Sequence, residues 1–389
     1  MTGAGEAPRR RPLIVLADGP DGPLPDPALV ASVAGVEGAE VLLGWIVREP
    51  RWLATTDLPV STFLTGQGTR AAVAAGRVSA FPVRLSAIPG LLAGRLRPDV
   101  LVVGAHETSS GFRLAHSPGF VATALLHAKS VVVERWPGEA REGAPVISRE
   151  ASAVIDRIPP PDPPPRNRPA LAHERIGELV AGLIPEGATI QWGPGAIGAS
   201  VIASIRRPVR VRSGLVTDEL VSLDQTGLLE APAEAAYLWG SGALRQMVND
   251  GRLLLRGIEH THDLTAISGI ERFIAINTGL QVGVDGATNV ETVGGRVVSG
   301  AGGHPDFAAG ASRSPGGLSV VALPATVGGR SSIVPVPERV STARADVDVV
   351  VTEYGVADLR GLEDRERAER IIGVAAPEHR EALRGRYCW

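Results

Sequence analysis

The sequence has a single cysteine, Cys388, beside its C-terminus. This excludes an intrachain disulfide framework and makes a thiol nucleophile a poor candidate. Long apolar runs are missing too: after Arg9, Arg10 and Arg11, the run Pro12–Ala17 stops at six residues. That is too short for a signal-peptide core or a membrane span, so the cytoplasm is the expected location and no membrane partner is expected. Neither sign of charge dominates. A formal net charge of −3 gives no general basic surface for nucleic acid. Arginine greatly outnumbers lysine, however, and a local site for an anionic ligand such as a nucleotide phosphate needs only one or two guanidinium groups.

What is present is a chain of 389 residues, 44% hydrophobic and 21% charged, long enough for two domains with separate apolar cores. Its 47 glycines and 31 prolines follow no collagen-like period, so they read as turns between short elements. The runs Pro12–Ala17, Ala39–Gly44, Asp99–Gly104 and Lys129–Glu134 read as buried strands. Helix-compatible spacing lies between them at Gly68–Gly76 and Pro118–Ala128. Strands apolar on both faces, alternating with helices, predict an α/β fold with mostly parallel or mixed sheets. In Ile158–Pro169, six of the seven residues from Pro159 to Pro165 are prolines without an amide donor. The segment reads as a semi-rigid connector or a surface excursion. The expected division is 1–157, a linker at 158–169, and 170–389.

Beyond the linker, a helix is expected over Leu171–Leu183 and a strand over Thr189–Trp192, followed by Gly193-Pro194-Gly195-Ala196-Ile197-Gly198 and a helix over Ala199–Ile205. Further strands are expected at Phe273–Ile276, Leu318–Ala322 and Val347–Thr352. A loop feeding a helix N-terminus suits an anion or an oxyanion, which makes Gly193, Gly195 and Gly198 candidates for ligand contact or for a tight turn. A denser segment runs from Ser299 to Phe307 through Gly300, Gly302 and Gly303, and Gly316 and Gly317 follow it. Glycine there lets the main chain approach a ligand closely. Within it Asp306 is a candidate to orient the main chain, and His304 is a proton donor or a turn histidine. A third unit, Val350–Gly361, carries Glu353, Asp358 and Arg360, which are ligand groups or a cap and an ion pair.

In this order, these segments resemble the acetyl-CoA hydrolase and CoA-transferase family. The main pieces are Phe273-Ile274-Ala275-Ile276-Asn277, Asn289-Val290-Glu291, Ser299–Phe307, Ala322-Leu323-Pro324 and Val350–Gly361, with a weaker echo at Phe63-Leu64-Thr65-Gly66 and Ser86-Ala87-Ile88-Pro89. The resemblance implies two related α/β lobes with an acyl-CoA thioester between them as substrate. The acceptor is unknown, no metal is expected, and a homodimer or hetero-complex is the expected assembly. The resemblance also implies a glutamate that attacks the thioester to form an acyl–glutamyl anhydride. Arg256 to Asn277 spans the family's 21 positions, which places Leu254 where that glutamate is expected. A second acidic position, in a His-Thr-Glu segment of the family, corresponds to Arg212-Ser213-Gly214.

Leucine cannot attack a thioester, and three functions follow. The first is acyl transfer or hydrolysis by direct attack, with His304, His106, His260 or His262 as base and amides near Gly302 and Gly303 holding the oxyanion. The second keeps covalent transfer with Glu259 as a displaced nucleophile, Glu219 and Glu291 being left to bind or orient. The third is a non-catalytic CoA-binding or scaffold subunit. Arg313 and Arg330 are candidates for the CoA phosphates or for solvated ion pairs.

Overall fold

The computed structural model describes residues 11–141, 143–156 and 169–386. Two eight-stranded sheets organise them. In the first sheet the strands are β1 (Leu13–Leu16), β2 (Glu40–Leu43), β3 (Val60–Thr62), β4 (Val78–Ala80), β5 (Val100–Thr108), β6 (Gly111–Leu114), β7 (Ser130–Trp136) and β8 (Ala153–Asp156). Their order is β4-β3-β2-β1-β5-β7-β8, all parallel, with β6 folded back antiparallel on the end of β5. The second sheet starts with β9 (Thr189–Trp192), β10 (Arg210–Val216), β11 (Ala233–Leu238), β12 (Leu253–Leu255) and β13 (Phe273–Thr278). It runs β12-β11-β10-β9-β13 and continues through Leu318–Ala322, Val349–Thr352 and the antiparallel edge strand Gly355–Asp358.

Both sheets are wound alike. The first strand lies centrally, the next three step to one edge, and the chain then crosses to the other side. The α/β architecture expected from the strand runs is therefore present, in the two related lobes that the family resemblance implies. Leu13–Leu16 and Thr189–Trp192 are buried along their whole length, as central strands covered on both faces must be. Of the proline-rich segment 158–169 expected to be a connector, only Pro169 lies within the described residues.

The lobes share buried apolar surface. Ala236, Tyr237 and Ile258 of the second lobe pack in the same cluster as Leu13, Phe63 and Phe120 of the first. Main-chain bonds join them as well: Ile258 N–H donates to the Gly119 carbonyl at 2.8 Å and Leu85 N–H to the Gly302 carbonyl at 3.3 Å.

Two local expectations need correction. The helix expected at Ala199–Ile205 spans Ala196–Ser204, so Gly198 lies inside it. A Cβ at Gly198 would stand 2.2 Å from the Gly193 carbonyl oxygen, and the bare glycine is what lets the helix start directly on the strand end. The last parallel strand begins at Val349, because Arg344–Asp346 form a short 3₁₀ turn before it.

Candidate functional site

In an open parallel sheet, a crevice forms beyond the carboxyl ends of the strands where the winding direction reverses. In the second sheet that point is the β9–β13 pair, where Ala275 lies opposite Gln191 and Ile276 opposite Trp192. Gln191 and Asn277 are the penultimate residues of these two strands, and both line a cavity of about 430 Å³ between the lobes. The first lobe supplies Trp45, Leu64, Arg70 and Leu85 to its wall. The second supplies the turn after β9, Gly214 and Leu215 of β10, Tyr237 of β11, His262, and the segment from Ser299 to His304.

The dense glycine segment is held in place by the opposite lobe. Gly302 takes a left-handed φ of 59°, and its carbonyl accepts the bond from Leu85 N–H. A Cβ at Gly300 would stand 2.5 Å from Leu64 Cδ1, so glycine is what permits the lobes to meet there. Asp306, on the helix His304–Ala311, accepts bonds from Ser86 N–H at 3.1 Å and Ser86 Oγ at 2.6 Å, with Arg84 at 3.9 Å. Burial raises its pKa to about 6. Asp306 thus brackets the two lobes and is absent from the cavity wall.

Two histidines reach the wall in different states. His304 bonds through Nδ1 to Thr342 Oγ1 at 2.6 Å, while its Nε2 is sealed from solvent without a partner. Burial lowers its pKa to about 4. His262 bonds through Nδ1 to Thr261 Oγ1 at 2.9 Å and packs against Phe307 with ring centroids 4.8 Å apart. Burial, with a smaller contribution from Arg212, lowers its pKa to about 3. Both rings are neutral at pH 7. Unpartnered Gln191 Oε1 and Asn277 Nδ2 lie in the same wall, the two amides being joined by one 3.4 Å bond.

Of the glycines singled out in the sequence, Gly193, Gly300, Gly302 and Gly303 line the cavity, whereas Gly195, Gly198, Gly316 and Gly317 do not. Gly316 and Gly317 form the turn behind the helix His304–Ala311, where a Cβ at Gly317 would meet the Ala311 carbonyl at 2.4 Å. Arg313 lies 3.7 Å from Asp346, and Arg330 sits on a hairpin strand; neither reaches the wall. Glu353 accepts from Ala325 N–H at 2.8 Å, and Asp358 pairs with Arg360 at 2.6 Å, so this unit serves as turn and ion pair. Glu219 accepts from Thr217 Oγ1 and Glu291 from Ser341 Oγ. His260 bonds Glu234, and the His106 ring lies edge-on to Trp136.

The two acidic positions implied by the family resemblance separate in space. Leu254 is on the edge strand β12 opposite Glu234 and does not line the cavity; Gly214 does. Glu259, on the short helix Ile258–Thr261, is also outside the wall, and its carboxylate folds back over Gly257. No aspartate or glutamate is among the described residues that line the cavity, and Arg70 is the single arginine among them. Sequence reasoning did not single out Gln191, Asn277, Arg70 or Tyr237. The available signal for the first two was a polar amide one residue before the end of a strand.

A profile of the acetyl-CoA hydrolase/transferase C-terminal domain matches residues 240–387. The 4-hydroxybutyrate coenzyme A transferase of Clostridium kluyveri is 30% identical over 350 residues, covering 83% of this chain and 80% of that enzyme. The crystal structure of RipA from Yersinia pestis matches with a TM-score of 0.81 at 24% identity, over 96% of this chain and 93% of RipA. The structure of 4-hydroxybutyrate CoA-transferase from Porphyromonas gingivalis matches with a TM-score of 0.74 at 24% identity, over 97% and 93%. At that identity the two structures speak to the fold. Among the described residues no helix is long and apolar enough to cross a membrane.

Proposed function

This chain belongs to the acetyl-CoA hydrolase/CoA-transferase family, and from that membership we propose that it binds an acyl-CoA thioester between its lobes and passes the acyl group directly to water or a second substrate, with no acyl–glutamyl intermediate. The observation that carries this reading is the absence of any carboxylate from the described cavity wall, with glycine at position 214. A covalent glutamyl route needs a carboxylate oxygen within bonding reach of the thioester carbon. Glu259 lies outside the wall, so its role as a displaced nucleophile lacks support.

The remaining groups suit direct attack. The wall is mostly apolar around a few polar side chains, as in small-molecule sites generally. The helix His304–Ala311 starts at the cavity, and main-chain amides of Gly303 and His304 are the proposed donors to the oxyanion. Arg70 is exposed and without an ion pair among the described residues, which suits it to an anionic part of CoA.

The test is calorimetric binding of CoA and of acetyl-, butyryl- and succinyl-CoA, followed by turnover with each. Intact-protein mass spectra of rapidly quenched reactions should show unmodified chain throughout. Failure to bind any of these ligands, or a borohydride-reducible glutamyl–CoA adduct, refutes the proposal.

A further inference from the structure

His262 occupies the room that a side chain at position 214 would need. A Cβ at Gly214 would stand 2.9 Å from His262 Nε2, and one at Gly303 would stand 2.6 Å from the same atom. The imidazole is therefore clamped between two residues that must lack a side chain, with Phe307 against its face. Its position is further set by Thr261, which is fully buried.

Thr261 Oγ1 lies 3.3 Å from the Gly257 carbonyl and 2.9 Å from His262 Nδ1. In the tautomer where the single hydroxyl hydrogen goes to the carbonyl, Nδ1–H donates to Thr261 Oγ1 and Nε2 carries the lone pair. It makes no hydrogen bond to the described residues. His262 lines the cavity wall with 1% of its surface exposed. In that tautomer the group presented to the cavity beside Gly214 is a neutral lone pair, at the second acidic position that the family resemblance implies.

Resting on the acyl-CoA reading above, we infer that His262 is a catalytic residue whose Nε2 accepts the hydrogen of a neutral protic acceptor, water first among them, and directs its oxygen at the thioester carbon. A bare lone pair attracts an O–H donor and repels a carboxylate anion, so acceptors carrying a proton are selected over the carboxylates that CoA-transferases use. In the step, the water oxygen forms a bond to the carbonyl carbon and the C–S bond breaks. Nε2 takes the water proton as the first bond forms and returns it to the departing sulfur. The products are a carboxylic acid and the free CoA thiol, with nothing oxidised or reduced.

The experiment uses the full chain with acetyl-, butyryl- and succinyl-CoA, following thiol release and the acyl product in ¹⁸O-labelled water with and without acetate. Wild type should release thiol at a rate independent of acetate, with label in the acid product. His262→Ala should lose about 10²-fold in kcat with little change in KM, the low end for a general base because burial lowers the pKa of the ring to about 3. Thr261→Val, which frees Nδ1, should lose a smaller factor, and calorimetric CoA binding by both variants reports that the cavity is intact. Binding with undiminished turnover in His262→Ala overturns the inference while leaving the acyl-CoA reading standing. So does strict dependence on acetate, or binding by wild type without thiol release from any of the three thioesters. Absence of binding by wild type overturns the acyl-CoA reading itself.

Discussion

Asp18 follows β1 in the first lobe and is buried against the second; its carboxyl accepts bonds from Tyr237 Oη of the second lobe and from Phe120 N–H of its own. Burial raises its pKa from 3.8 to about 7, and the nearby Glu259 adds to the rise. Between these values the folded protein keeps a proton that the unfolded chain has released. The sign follows: the associated stability is full below about pH 4 and is lost as pH rises through about 7. Each tenfold change in proton affinity is worth about 1.4 kcal/mol, so the loss between about pH 5 and about pH 8 is about 2.5 kcal/mol. Asp18→Asn, which cannot ionise, should remove this part of the pH dependence. Asp306, and the histidines whose pKa values are lowered, also contribute to the dependence of wild type, but they are shared by the variant and cancel in the difference. Urea unfolding of both proteins at several pH values in that range is the assay. The gap between their stabilities should shift in favour of the variant as pH rises. A gap that stays constant from about pH 5 to about pH 8 would show that Asp18 titrates as an ordinary carboxylate and that the buried contact between lobes has been misread.

Gly214→Ala and Gly303→Ala should each displace the His262 ring, costing about 1–3 kcal/mol of stability by overpacking and most of the turnover; thermal unfolding and thiol release measure the two effects. Leu254→Glu should yield no borohydride-reducible CoA adduct, because β12 carries that side chain outside the cavity; an adduct at residue 254 in the mass spectrum would contradict the placement. Asp306→Ala strands two donors of Ser86 at the lobe junction and should cost about 1–3 kcal/mol, read as a lower urea midpoint. Arg70→Ala should weaken calorimetric binding of CoA more than binding of pantetheine, which lacks the nucleotide phosphates.

Much of the fold was readable from short-range pattern. The runs around Leu13, Val41, Val100, Val131 and Ile190 are apolar at successive positions, a requirement imposed locally by burial on both faces of a parallel sheet. The glycines of Ser299–Phe307 were readable for a related reason, since so dense a cluster permits close approach that other residues forbid. Which of them touched anything was not readable. Gly198 and Gly317 are glycine because helix and turn pack tightly behind the cavity, and Gly303 because an imidazole lies against it; the chain code is the same in each case.

By itself the sequence determined the α/β class, and its resemblance to the family implied the paired lobes and acidic residues at the positions of Gly214 and Leu254. Tertiary structure decided that of these two positions 214 faces the cavity, and that the His262 ring lies beside Gly214 and Gly303 while His304 Nε2 is sealed from solvent. The reason is geometric. A parallel sheet brings together strand ends that are far apart in sequence, placing Gly214 beside Gly303 while carrying Leu254 to an edge. Burial then sets the protonation state of the imidazole that lies between them.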